Sequence, residues 1–193
     1  MVPDDPATSP EPRWLSAEEQ QAWLALNGVT TLLPYALDAQ LQLDGDLSLF
    51  EYSVLAMLSE APDRTLRMKR LAGLANGSLS RLSHVVSRLE RRGYVRRERV
   101  AEDGRTTAAV LTLAGWEAIV RAAPSHVAAV RRMVIDTLSP QEVGQLAAVC
   151  KKILQAVSPH CEVPLDYLRR LDGIDGPCTA DDGAAGEGAA RTP

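Results

Sequence analysis

The stretch 76–112, NGSLSRLSHVVSRLERRGYVRRERVAEDGRTTAAVLT, decides the fold. In its first half Leu79, Leu82, Val85, Val86 and Leu89 recur at threes and fours, so that at about 100° per residue they form one apolar stripe on a helix. Ser80, His84, Ser87 and Arg91 lie opposite that stripe, with Arg81 and Arg88 flanking them on one side and Ser83 on the other. Such a helix packs by one face and presents hydroxyls, an imidazole and guanidinium groups on the other. Ser78 is placed as its N-cap, and Gly93 stands where a left-handed residue ends a helix. Beyond Gly93 the period changes. Tyr94 to Val100 and Thr106 to Leu111 read as short strands separated by Ala-Glu-Asp-Gly-Arg, which predicts a hairpin with an Asp-Gly turn.

A small helix feeding a basic hairpin is the layout of a winged helix. Asp103-Gly104-Arg105, followed by Leu111-Thr112 and Gly115, resembles the D-x-R…L-T-x-x-G signature of the MarR family, the multiple-antibiotic-resistance-type winged helix-turn-helix repressors. Ser78-x-Ser80 and Leu89-Glu90-Arg91-Arg92-Gly93-Tyr94-Val95 are similar to that family's recognition-helix segment. The resemblance covers about residues 16 to 158. It implies a mainly α protein with a small β-wing: a winged helix-turn-helix DNA-binding lobe plus N- and C-terminal dimerisation helices. It also implies a homodimer on a palindromic operator, usually a repressor released by a small lipophilic or aromatic effector bound between the DNA-reading lobe and the dimer helices.

Composition agrees with a soluble, cytoplasmic DNA binder. The chain is 46% hydrophobic and only 4% aromatic, so a globular core must be mostly aliphatic. Its net charge of −4 conceals an asymmetry: Arg64 to Arg105 holds twelve Lys/Arg against four Asp/Glu, a local +8 that leaves −12 for the remainder. A basic segment in an acidic protein is either an electrostatic footprint for a polyanion or a solvated charged face, and its coincidence with the helix-plus-hairpin pattern favours the first. The N-terminus lacks the basic and apolar regions of a signal peptide, and no apolar run approaches the roughly 20 residues that span a bilayer, so no membrane partner is expected.

Residues 1–15 read as a disordered arm and residues 159–193 as a mostly disordered acidic tail, with the folded domain at 16–158. Within it, 46–112 is the DNA-binding lobe, and 16–45 and 113–158 are the dimerisation helices. Capping boxes at Ser16/Glu19, Ser48/Glu51 and Ser139/Glu142 mark helix starts, whereas Pro34 predicts a kink or split and Pro124 a bend. Thr65 to Arg67 reads as a short strand joining the hairpin, and Met68 to Ala75 as the first helix of the helix-turn-helix, with Asn76-Gly77 as the turn. The first helix carries apolar residues at Trp23, Leu26, Val29, Leu33, Leu37 and Leu41; the last carries Val143, Leu146, Val149, Cys150, Ile153, Leu154 and Val157. These stripes either pack on one another within the chain or meet a second copy, and the dimer that the resemblance implies favours the second.

Ser80, Arg81, Ser83 and His84 are the side chains expected nearest base edges, with Arg88 and Arg91 at phosphate. His84 has a plainer reading as an exposed helical residue. Arg105 at the hairpin tip resembles the family's minor-groove arginine, and Asp103, by the same resemblance, holds neighbouring wing arginines or simply makes the turn. Arg96, Arg97 and Arg99 on the strands add phosphate attraction or keep an edge strand soluble. Catalysis is not expected, since the three histidines (His84, His126, His160) are scattered and no nucleophile or phosphate-loop motif occurs. Cys150, Cys161 and Cys178 form neither a disulfide framework nor a zinc signature, and the His160-Cys161 pair reads as structural, so no metal or cofactor is expected. Cys150 itself reads as a small core residue. Trp23, Tyr35, Tyr52 and Trp116 either line an effector pocket or belong to the core. The different class of function left open is a winged-helix module that binds protein rather than DNA.

Overall fold

The computed structural model describes residues 12–75, 77–100 and 103–157, with the side chains of 103–105 left aside. The expected arm up to residue 11, Asn76, the acidic tail, His160, Cys161 and Cys178 lie outside the described residues. Helix α1 (Ala17–Gly45) opens on the Ser16/Glu19 capping box and ends at Asp46, whose backbone turns left-handed at φ 53°. Helix α2 (Leu49–Glu60) opens on the Ser48/Glu51 box and stops at the bend before Pro62. Strand β1 (Thr65–Arg67) leads into α3 (Met68–Leu74) and then α4 (Leu79–Arg91), capped by Ser78. Strands β2 (Val95–Val100) and β3 (Asp103–Leu111) form the wing, followed by α5 (Leu113–Met133) and α6 (Pro140–Val157). This mainly α architecture with a three-stranded antiparallel sheet in the order β1-β3-β2 is the expected winged helix.

Neither proline splits its helix. Helix α1 runs unbroken through Pro34, and α5 through Pro124. Each proline lies on an exposed face, so the carbonyl it leaves without an amide partner can be met by water. The hairpin differs from expectation. Val95 to Arg99 pair with Leu111 to Thr107 in step, and then the register shifts so that Val100 faces Asp103. Asp103 and Gly104 therefore lie in β3 rather than in an Asp-Gly turn, the register shift carrying the strand back to Asp103.

The core lies between α2, α3, α4 and the sheet, with Leu41 of α1 and Ile119 and Ala122 of α5 closing it. Leu82, Val85, Val86 and Leu89 of α4 are at most 5% exposed and pack with Leu55, Leu58 and Leu71 of the neighbouring helices. Burying each such side chain contributes about 1.5–3 kcal/mol, which pins the azimuth of α4. Leu79, counted in the same stripe by its spacing, is 52% exposed and does not belong to the core. The outer helices bury little: α1 only Leu41, and α6 no residue. Cys150 is accordingly half-buried rather than a core residue. No helix among the described residues is long and apolar enough to cross a membrane.

The signature Leu111-Thr112-x-x-Gly115 has a packing cause. Thr112 caps α5, its hydroxyl donating to the Gly93 carbonyl at 2.6 Å while accepting from the Gly115 amide at 3.1 Å. A Cβ at Gly115 would overlap the Tyr94 carbonyl and meet Leu111 Cδ1 at 2.7 Å. Only glycine lets α5 approach the wing so closely. Gly93 itself adopts φ 73° at the end of α4, as its position after the helix predicts.

Candidate nucleic-acid interface

Helix α4 presents its polar face outward. Ser80, Arg81, His84, Arg88 and Arg91 are exposed, whereas Ser83 and Ser87 are half-buried on the side toward the wing. The structure thus brings Ser80, Arg81, His84, Arg88 and Arg91 onto one open surface, joined by the unexpected Leu79. Asp103 and Arg105 are placed at the far end of the hairpin by their backbone, in the first residues of β3.

Several of these cations already have protein partners. The Arg81 guanidinium lies 4.5 Å from the centre of the Phe50 ring on α2, an attraction between cation and ring face that holds the side chain beside the first turn of α4. Arg88 donates from Nε to Glu51 Oε1 at 3.1 Å. Glu51 is only 6% exposed, and its Oε2 accepts from the Ser48 amide and hydroxyl, both at 2.9 Å. One carboxylate thereby closes the N-terminus of α2 and ties α2 to α4. Asp38 of α1 extends the connection, its Oδ1 accepting from the Leu49 amide at 2.7 Å. Arg92 bonds the Asp46 carbonyl at 2.6 Å, fastening the end of α4 to the elbow between α1 and α2.

Arg97, expected to add phosphate attraction or to keep an edge strand soluble, is engaged within the protein. Its guanidinium is directed to Ser83, Ser87 and Glu90 of α4. Arg96 forms an ion pair with Glu98, two residues along the same strand. The sequence reading missed Phe50, Glu51 and Glu90 as partners of the basic surface. For Glu51 a signal existed, since a capping-box carboxylate has a second oxygen free to take a cation.

A cleft of about 840 Å³ opens between α1, α2 and α4, lined by Pro34, Phe50, Ser78, Arg81, His84 and Arg88 among others. None of the four aromatic residues proposed for a pocket lines it. Trp23 and Tyr35 are 56% and 78% exposed, and Tyr52 and Trp116 pack partly buried against the core. Tyr52 packs on His126 at 4.3 Å between ring centres with the planes tilted by 46°, and burial lowers the His126 pKa from its ordinary value. Among the described residues no group of three or more His, Cys, Asp or Glu is arranged to hold a metal ion.

Residues 46–106 match the model of the MarR family. A MarR family transcriptional regulator from Streptomyces coelicolor, solved in complex with DNA, is 43% identical to this chain; the match covers 78% of this chain and 94% of that one, with a TM-score of 0.74. The chain belongs to the MarR family. AbsC, another MarR family transcriptional regulator from the same organism, is 40% identical over 77% of this chain and all of its own length (100%), with a TM-score of 0.72. A transcriptional regulator from Sulfolobus solfataricus, BldR, shares the fold at 24% identity, covering 72% of this chain and 96% of that one with a TM-score of 0.64. No curated protein matches the chain. As a MarR family member the protein is a transcriptional regulator, and its relatives are regulators rather than enzymes.

Proposed function

We propose that this MarR family protein is a repressor that binds a palindromic DNA operator as a homodimer. The observation that carries the reading is the joint presentation of a polar, arginine-bearing helix face and a basic hairpin on one lobe whose 43%-identical relative was solved with DNA. Ser80, Arg81 and His84, on the first turns of α4, meet base edges in the major groove; Ser83, expected there too, is turned toward the wing. Leu79 is open to apolar contact with a thymine methyl. Arg88 and Arg91 meet phosphate, and the hairpin end with Asp103 and Arg105 meets the minor groove, where a guanidinium senses groove width.

The division at 16–45, 46–112 and 113–158 carries over as part of this reading. The apolar residues left open on the outer helices, among them Leu24, Leu32, Val149 and Val157, support burial against a second copy, which places two α4 helices about one helical turn, roughly 10 bp, apart. The cleft against α1 and α2 supports a small lipophilic or aromatic effector, bound where it bears on both Pro34 of α1 and Arg81 of α4. The regulator acts in the cytoplasm, where its operator is.

The test is a salt series on a duplex selected from genomic fragments by the purified protein. Arg81→Ala costs about 1–3 kcal/mol on the best duplex and relaxes one base position per half-site. Arg105→Ala weakens many sequences evenly and makes the salt slope shallower by about two units per dimer. A protein whose affinity for DNA is indifferent to both substitutions has only a solvated basic face and binds something else.

A further inference from the structure

Strand alternation puts Arg97 on the same face of β2 as Val95, which is 2% exposed, so its side chain is directed at α4. Ser83, Ser87 and Glu90 stand in one line there, four and three residues apart. Arg97 Nη2 donates to the Ser83 carbonyl at 2.8 Å and to the Ser87 hydroxyl at 3.1 Å, with the Ser83 hydroxyl at 3.3 Å. Nη1 pairs with Glu90 Oε2 at 3.0 Å, and the Arg97 backbone amide donates to Glu90 Oε1 at 3.1 Å. The two shortest contacts of Nη2 use both of its hydrogens. Glu90 is also the only acidic residue of α4. A carboxylate on a helix that faces phosphates opposes binding, unless its charge is spent on something that binding needs.

A winged helix sends α4 and its hairpin into different grooves, so both dock only when the angle between them is right. We propose that Arg97 is a positioning residue and not a phosphate contact: with Glu90, Ser83 and Ser87 it forms a strut that sets the wing against the recognition helix before DNA arrives. The inference rests on the DNA-binding reading above. Its consequence is a separation of affinity from salt dependence. Arg97 is neutralised by Glu90 within the protein and displaces few counterions from DNA, yet its loss lets the wing swing and forfeits the pre-set geometry.

The experiment uses the full-length chain with Arg97→Gln, Glu90→Gln, the double variant and Ser87→Ala. Binding is measured across a salt series on a duplex selected by the wild type from genomic fragments. Arg97→Gln is expected to weaken binding about tenfold with the salt slope unchanged. Glu90→Gln is expected to weaken it similarly, although it removes a negative charge from the DNA-facing lobe. The double variant should be no weaker than the worse single one, the signature of partners in one network. Ser87→Ala, which changes no charge and disturbs the fold least, should weaken binding by about threefold and add nothing to Arg97→Gln. Thermal midpoints confirm that each variant is folded. Tighter binding by Glu90→Gln, together with a slope shallower by about two units per dimer in Arg97→Gln, makes Arg97 a phosphate contact and overturns the proposal alone. A wild type that binds no duplex overturns it together with the DNA reading.

Discussion

Replacing Glu51 by glutamine isolates what one buried carboxylate does for the lobe. The carboxylate accepts on both oxygens: Oε2 from the Ser48 amide and hydroxyl at 2.9 Å, Oε1 from Arg88 Nε at 3.1 Å. A glutamine has one acceptor oxygen and one amide donor, so it can face only one of these sides correctly. If its oxygen serves the Ser48 amide, its NH₂ confronts Arg88. The Arg88 side chain is 51% exposed and can turn to water, which discounts its loss, whereas the Glu51 side is 9% exposed and cannot. The remaining cost is a mismatched buried group and a weakened cap, about 1–3 kcal/mol together. For a chain of this size that lowers the thermal midpoint by about 2–4 °C per kcal/mol, hence roughly 2–12 °C in all. Urea unfolding of wild type, Glu51→Gln, Arg88→Gln and the double variant measures the stability and the coupling between the two sites. A Glu51→Gln protein within about 0.3 kcal/mol of wild type, or strictly additive losses, refutes the assignment of Glu51 as the tie between α2 and α4.

Gly115→Ala drives a Cβ into the Tyr94 carbonyl and Leu111, so stability should fall by about 1–3 kcal/mol or more, read from the urea midpoint; an unchanged midpoint contradicts the close approach. His126 has its pKa lowered by burial, so the unfolded chain binds the proton more readily and stability is lost as pH falls below about 6.5 toward the folded value. His126→Gln should flatten stability between pH 7.5 and 5.5, and an equal slope in both proteins removes His126 as its source. Deleting residue 139 onward removes the open apolar face of α6 and should convert a dimer at micromolar concentration into monomer or aggregate; a full-length chain that sediments as a monomer at high concentration ends the dimer reading. Replacing operator thymines one at a time by deoxyuridine, which lacks only the methyl, should weaken wild type at one position per half-site and leave Leu79→Ala unaffected there; equal responses in both proteins exclude the contact.

The sequence by itself determined what depends on neighbours within about four residues. The boxes at Ser16/Glu19, Ser48/Glu51 and Ser139/Glu142, the cap at Ser78 and the left-handed Gly93 are satisfied by adjacent backbone, so spacing alone encodes them. The two periods, near 3.6 and 2, likewise expressed the helix-then-wing order and the outward face of α4. Only the tertiary structure decided which members of these patterns find partners. Leu79 shares the spacing of a buried stripe yet is 52% exposed, because burial depends on what packs against a turn and not on its phase. Pro34 does not split its helix, because the carbonyl it strands faces solvent. Arg88 and Arg97 were legible as cations on a basic segment. Their partners, Glu51 lying 37 residues from Arg88 and the Ser83–Glu90 edge of α4 across the wing, exist only after packing has set α2 and β2 against the same helix. Charge and spacing are properties of the chain; which charge meets which carboxylate is a property of the packed fold.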